Sequence, residues 1–168
     1  MDTKEKMIKE ALKRIANPVT IVTSQRGSIK GATTVAWVTR ASNDPPLVMI
    51  CISPKRFIHD LIIESKEFNL AVLGDESEEM ALFCGTNSAY DVDKLTQGNI
   101  ELLKASLISS PLIKNALVNL ECRLMESFGA GDHTVFIGEV IMAHIQKEGK
   151  PLVVTDKLCT LDHKWNIM

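Results

Sequence analysis

Three short segments hold the residue types from which a chemical site could be built. Gly129-Ala130-Gly131-Asp132-His133 is a glycine-rich turn that delivers an Asp-His pair to the start of a strand. A carboxylate next to an imidazole orients it or raises its basicity, and histidine is the natural proton donor near neutral pH. The glycines permit close approach by a ligand. Read more simply, the same segment is a hairpin turn with a solvated histidine. Ser53-Pro54-Lys55-Arg56 follows an apolar strand. Ser53 suits a helix N-cap and Pro54 the first helical position, so free backbone N–H groups would face outward and favour an anion. Cations in a first turn oppose the helix dipole, and a bound phosphate would remove that conflict. The plainer alternative is a pair of surface basic residues. In Thr33-Thr34-Val35-Ala36-Trp37, small side chains and hydroxyls leave room for a flat ring against the backbone. Threonine is also simply a good strand former, and Trp37 is equally at home in a core.

Other chemistries find little footing. Gly129-Ala130-Gly131 begins like a dinucleotide fingerprint, but Thr134 stands at the third glycine position, and no GxxxxGK[ST] occurs. GxSxG is absent too, which argues against an elbow-borne serine nucleophile. Cys51, Cys84, Cys122 and Cys159 are widely spaced with no CxxC pair, so they read as free thiols in reducing cytosol. His59 lies on a helix and is expected to face solvent or a partner subunit; His144 ends a strand, and His163 is in the tail. No spacing among the histidines suggests a metal. Glu78-Glu79 reads as a solvated helix face.

The elements that must carry these segments follow from periodicity. A length of 168 residues fits one domain, expected over 1–168. With 45% hydrophobic residues and a net charge of −2, the chain reads as a globular protein without a nucleic-acid footprint or polybasic membrane patch. No apolar run is long enough to span a membrane, and the charged start is not a signal peptide, so the expected location is the cytoplasm. Residues 3–16 form an amphipathic helix capped by Asp2 or Thr3, with Met7, Ile8, Ala11, Leu12 and Ile15 on one stripe, stopped by Asn17-Pro18. Strands are expected at 19–23, 32–39, 47–53, 68–73, 118–126, 133–145 and 152–154, with a turn at Asn43-Asp44-Pro45-Pro46. Helices are expected at 57–65 and at 76–84, the latter packing through Met80, Leu82 and Phe83; residues 85–116 are irregular. Strands so often follow strands that a doubly wound sheet is excluded. The expectation is an antiparallel, mainly β barrel with helical additions.

In order and spacing, these segments resemble the flavin reductase-like family, with its FMN-binding split β-barrel. The resemblance rests on Asn17-Pro18-Val19-Thr20-Ile21-Val22-Thr23, Gly31 to Val38, Ser42-Asn43-Asp44-Pro45-Pro46-Leu47-Val48 and Ser53-Pro54-Lys55-Arg56-Phe57. It continues through Glu67-Phe68-Asn69-Leu70, Asp91-Val92-Asp93-Lys94-Leu95, Leu120-Glu121-Cys122-Arg123-Leu124 and Gly131 to Val140. It covers roughly residues 12–155 and looks closest to the branch of ferric reductase and flavoredoxin. It implies a homodimer with FMN at the subunit interface, NADH or NADPH as co-substrate, and a flavin, iron or protein acceptor. Thr34, Val35, Ala36 and Trp37 would line the isoalloxazine, with Ala41 and Ser42 nearby. Cys51, Ile52 and Ser53 would border the flavin, and Lys55 and Arg56 would approach its phosphate or ribityl chain. Phe83, Gly85 and Lys94 would close the other side, and His133 would sit near the nicotinamide as the catalytic residue. Two features depart from the family pattern. Ala71 stands where many relatives have asparagine, and Gly85-Thr86-Asn87-Ser88 replaces Gly-x-x-Ser-Gly. A rival function is an FMN electron carrier without NAD(P)H activity, and another is a ligand-binding barrel without flavin.

Overall fold

The computed structural model describes residues 2–155 and 157–160. Helix α1 (Thr3–Leu12) precedes strands β1 (Asn17–Pro18), β2 (Thr20–Arg26), β3 (Ile29–Val35), β4 (Val38–Asn43) and β5 (Pro46–Ile52). Next come helix α2 (Phe57–Ser65), strand β6 (Glu67–Val72), a 3-10 turn at Asp75–Ser77, and helices α3 (Glu78–Thr86) and α4 (Lys94–Gln97). Short strands β7 (Leu102–Leu103) and β8 (Leu112–Ile113) lead into the long pair β9 (Val118–Ala130) and β10 (His133–Ile145). Strands β11 (Leu152–Val154) and β12 (Leu158–Thr160) end the described chain.

Seven strands form one sheet in the order β3-β2-β6-β9-β10-β5-β4, every neighbour antiparallel. Strands β3 and β4 occupy opposite edges of this sheet, yet only Ala36 and Trp37 separate them in sequence. So short a link brings the two edges together only if the sheet curls on itself. The result is an antiparallel barrel joined at that place by chain rather than by a ladder: a split barrel, as expected. The expected strand 32–39 is accordingly broken. The Val38 N–H donates to Ala36 O at 3.0 Å, and the chain changes partner from β2 to β5 across this tight turn.

The wall is buried on both faces along β2, where Ile21 and Val22 are both fully buried and belong to different clusters. Ile21 packs with Ala32, Ala71 and the α3 residues Ala81 and Cys84 outside the barrel. Val22 packs inside with Val35, Ile50, Phe68, Phe136 and the α2 residues Ile58 and Ile62. A two-sided burial explains the run of β-branched residues. Gly138 lets β10 cross the fully buried Phe68: a Cβ there would lie 2.5 Å from Phe68 Cζ.

Several boundaries differ from expectation, each for a local reason. Helix α1 stops at Leu12, and Asp2 precedes it without a side-chain capping bond. Its stripe stays uncovered, with Met7, Ile8, Leu12 and Ile15 all about half exposed or more. Helix α2 begins at Phe57 with Arg56 as N-cap, not at Pro54, because Ser53–Arg56 closes its own turn through the Arg56 N–H to Ser53 O at 2.9 Å. Lys55 and Arg56 therefore sit in a loop rather than in a first helical turn. On α3 the buried residues are Ala81 and Cys84, while Leu82 is exposed. The turn after β4 is narrower than drawn from the prolines, since Asn43 and Pro46 already pair. Strand β9 extends to Ala130, and part of the tail pairs with β11 as β12. Residues 161–168, including His163, lie outside the described residues.

Candidate functional site

Beside the seam lies a cleft of about 560 Å³, a size typical of small-ligand sites. Ala32, Thr33, Thr34, Val35, Ala36 and Trp37 all line it. Successive side chains on a strand point to opposite faces. An unbroken run of six on one wall therefore means that β3 presents its backbone edge. That edge is free, because β3 is bonded only to β2, and a free edge is a row of N–H and C=O groups. Cys51, Ile52 and Ser53 form a second such run at the end of β5. One of these groups is already used, the Cys51 N–H donating to Trp37 O at 2.9 Å.

Positive charge enters the cleft, with Arg56 beside Lys94 at one end and Lys55 within reach of Asp132. Lys55 and Arg56 enter from the β5–α2 loop and Lys94 from α4. Lys94 is buried, and its Nζ donates to Cys84 O at 2.7 Å. An ammonium has three donors; among the described residues the Lys94 Nζ has no other hydrogen-bond partner. Burial pushes its pKa down, the Cys84 thiol partly opposes this, and the Arg56 charge adds to it. Burial also lifts the Cys84 thiol to about 11, against the pull of Lys94. The Cys51 thiol is likewise raised by burial, so it stays protonated and is a poor nucleophile.

The other end carries the Asp-His turn. Gly131 has a φ of 63°, the left-handed conformation that a two-residue hairpin loop demands and glycine supplies freely. The turn aims His133 at the seam, where its ring centroid lies 4.4 Å from that of half-exposed Trp37, tilted by 40°. Asp132 Oδ1 and His133 Nδ1 are 2.7 Å apart. This hydrogen bond, then the His133 charge, holds the Asp132 carboxyl below the usual range.

The structure thus brings Thr34, Val35, Ala36, Trp37, Cys51, Ile52, Ser53, Lys55, Arg56, Lys94 and His133 to one cleft. Four expected residues do not line it. Ala41 and Ser42 lie further along β4. Gly85 backs β3 from α3, where an added Cβ would sit 3.4 Å from Thr34 Cβ, while the Phe83 ring lies against Gly98 at the end of α4. Thr33, singled out with the strand segment 33–37, lines the cleft as well. Ala32, Phe57, Ile58 and Ala89 line it without having been assigned a role, and so does Ser88, which the sequence marked only as part of a segment that departs from the family pattern. His59 is buried, not solvent-facing, with its Nε2 2.9 Å from Thr134 Oγ1 and its ring edge-on to Phe136. The turn of α2 that packs into the barrel carries it inward. His144 ends β10 beside Glu121, 2.6 Å from its carboxylate.

A family model described as a flavin reductase like domain matches residues 12–161. The chain belongs to this family. An NADH-dependent flavin reductase from Rhodococcus sp. is 33% identical over 151 residues, covering 87% of this chain and 80% of that protein. The crystal structure of an NADH:FAD oxidoreductase from Streptomyces globisporus C-1027 superposes with a TM-score of 0.85 at 26% identity, over 96% of each chain. A flavoredoxin from Methanosarcina acetivorans shares the fold, with a TM-score of 0.81 at 24% identity over 89% of this chain and 87% of that one. Among the described residues, no helix is long and apolar enough to cross a membrane.

Proposed function

We propose that the chain is an NAD(P)H-dependent flavin reductase. It holds FMN, or the same riboflavin 5′-phosphate half of a larger flavin, in the seam cleft and passes electrons to a second flavin, to iron or to a protein. The observation that carries this reading is the free backbone edge of β3 sharing one cleft with three cations. A flavin needs both, hydrogen-bonding groups for the rim of its ring and positive charge for its phosphate.

The residues present fit the group. Thr33 Oγ1 is buried at the cleft wall with no partner among the described residues. Such an orphan costs about 1–3 kcal/mol, and a ligand acceptor or donor would satisfy it. Thr34, Val35, Ala36 and Trp37 with Cys51, Ile52 and Ser53 would border the ring, and Lys55, Arg56 and Lys94 would hold the phosphate. Gly85 would serve by supporting β3 from behind, and Phe83 by packing at the end of α4, the helix that carries Lys94. A flavin held there would supply hydride acceptance from a reduced nicotinamide and onward electron transfer, and the protein would bind, orient and tune it. Backbone N–H groups along β3 and β5 would be placed to steady negative charge on such a group without reorganising. Protonated thiol at Cys51 keeps a competing nucleophile out of the site.

His133, stacked on Trp37 and oriented by Asp132, would position the nicotinamide or move a proton at Nε2. His133→Ala is expected to slow flavin reduction by about tenfold or more, below the full range for general acid–base groups because positioning is shared with Trp37. Rapid mixing with NADH measures this, and an unchanged reduction rate removes His133 from the mechanism.

The same reading pairs two copies. The uncovered α1 stripe, with exposed Met125 and Phe128 near the tip of the β9–β10 arm, leaves apolar surface that a monomer would show to water. Ala41 and Ser42 on β4 would then lie towards the second copy. Light scattering of the purified chain is expected to give a dimer mass; a monomer mass contradicts this. Cys51, Cys84, Cys122 and Cys159 are unpaired thiols, which suits the cytoplasm. Flavin-dependent consumption of NADH or NADPH tests the activity itself: no consumption with any flavin overturns the proposal.

A further inference from the structure

His59 on α2 is buried, and both nitrogens of its imidazole pair with side chains. Nδ1 lies 2.8 Å from Asp60 Oδ1, and Nε2 lies 2.9 Å from Thr134 Oγ1. We propose that His59 is a positioning residue for His133: by gripping Thr134 from inside the barrel, it fixes the point from which His133 reaches the cleft. The proposal rests on the reading of His133 above and deepens it.

Strand geometry puts the two imidazoles on opposite sides of β10. Successive residues of a strand point to opposite faces. Thr134 and Phe136 share the inner face; Phe136 is fully buried there, and the His59 ring meets it edge-on with centroids 5.4 Å apart. His133 leaves from the other face, onto Trp37. His59 therefore holds the strand from behind, at the residue next to His133. The hairpin tip itself is open. Ala130, Gly131 and Asp132 are exposed, and a Cβ added at Gly129, the cross-strand partner of Thr134, would meet nothing within 4 Å. On its other side Thr134 pairs with Ile52 of β5. The tip thus gains ladder bonds but little packing, and any drift of its backbone would swing His133 across Trp37.

Hydrogen-bond chemistry gives the grip a direction. The Asp60 carboxylate only accepts, so the neutral His59 ring carries its proton on Nδ1, and Nε2 accepts from the Thr134 hydroxyl. Such a bond constrains angle as well as distance, which an apolar contact of the same size does not. Helix α2 begins at Phe57, directly after Lys55 and Arg56. The same bond therefore ties the start of β10 to the loop that carries two of the cleft's cations.

Thr134→Val keeps a β-branched side chain in the strand and removes only the hydroxyl. In rapid mixing with NADH it is expected to slow flavin reduction about fivefold, less than loss of His133 itself, since misplacing a group by about 1 Å is already costly. Flavin affinity, read by fluorescence titration, should be unchanged, and Thr134→Ser should restore the rate. The double variant His59→Leu/Thr134→Val separates positioning from stability. Replacing both partners by apolar groups is close to neutral for folding. Its melting temperature should therefore return towards wild type while reduction stays slow. A rate that recovers with the melting temperature overturns the inference. So does an unchanged rate in Thr134→Val, an equally slow Thr134→Ser, or a loss of flavin affinity that matches the loss of rate. In the His133→Ala background Thr134→Val should slow reduction no further, and a full additional loss there also overturns it. These outcomes leave the reductase reading and the role of His133 standing, whereas His133→Ala without effect removes that role and this inference together.

Discussion

Lys94→Met is expected to weaken FMN binding about a hundredfold, roughly 2.7 kcal/mol. The side chain is buried, and its one protein partner is the neutral Cys84 carbonyl. A buried cation so poorly compensated is held at an expense that an anionic ligand would offset. Truncating one partner of a buried charge pair typically costs about 2–5 kcal/mol of affinity, which sets the magnitude. Methionine fills similar space, so the fold should survive and even gain stability once the buried charge is gone. Riboflavin lacks the phosphate, and its affinity should change little. The same lysine predicts a pH profile. Because burial lowers its pKa, it loses its proton at a lower pH than an exposed lysine does. FMN affinity should therefore hold at neutral pH and fall as pH rises, before the ordinary lysine value of about 10.4 is reached. Fluorescence titration of both flavins across alkaline pH measures this. Equal losses for FMN and riboflavin would place Lys94 away from the phosphate.

The second large effect concerns stability. Glu121 is fully buried on β9 and accepts N–H bonds from Ser106 at 2.7 Å, Leu107 at 2.7 Å and Ile108 at 3.1 Å. Its carboxylate thereby ties the loop between β7 and β8 to the barrel, and His144 Nε2 closes the set at 2.6 Å. Burial by itself would raise the Glu121 pKa; the Ser106 N–H, His144 and the N–H groups of Leu107 and Ile108 together bring it below the usual range. Glu121→Gln turns an amide NH₂ towards donors and should lower unfolding stability by about 3 kcal/mol. The sign with pH follows from the lowered value. The stabilisation is complete above the unfolded glutamate pKa of about 4.3 and disappears as pH falls through the lower folded value. Urea unfolding of both proteins at neutral and at acid pH checks this: the gap between them should close at low pH. A gap that persists at low pH would show that the carboxylate charge is not what holds the loop.

Much of the fold was legible because its signals are local. Strand β10 and helix α2 have the expected bounds, 133–145 and 57–65. The 3.6-residue spacing of α2 is unbroken, with Pro54 ahead of it and Ser65 at its end, and Gly131-Asp132 marks the start of β10; the register shifts inside β10 carry no such mark. Pairing across the seam was not legible. The break at Ala36-Trp37 comes from a change of partner strand, and no residue there forbids continuous extension. The helix-cap reading of Ser53-Pro54 failed for the opposite reason: both are good cap residues, but the turn they form closes on itself before α2 begins. His59 looked like a surface residue because its neighbours Arg56, Asp60 and Ile63 are exposed. Only the packing of α2 into the barrel shows that it lies on the inner face. Lys55, Arg56, Lys94 and His133 were each visible as residues with chemical potential. That they converge on the free edge of β3 depends on barrel closure, which no single segment encodes.

The central claim, that the seam cleft binds flavin and reduces it with a nicotinamide, is tested most directly by one anaerobic experiment. The purified chain is mixed with FMN or FAD, and NADH or NADPH is then added while the visible flavin bands are followed. The account predicts binding to the protein followed by rapid bleaching of those bands, faster than free flavin and nicotinamide react alone. Flavin bands that neither shift on mixing with the protein nor bleach faster in its presence would contradict it.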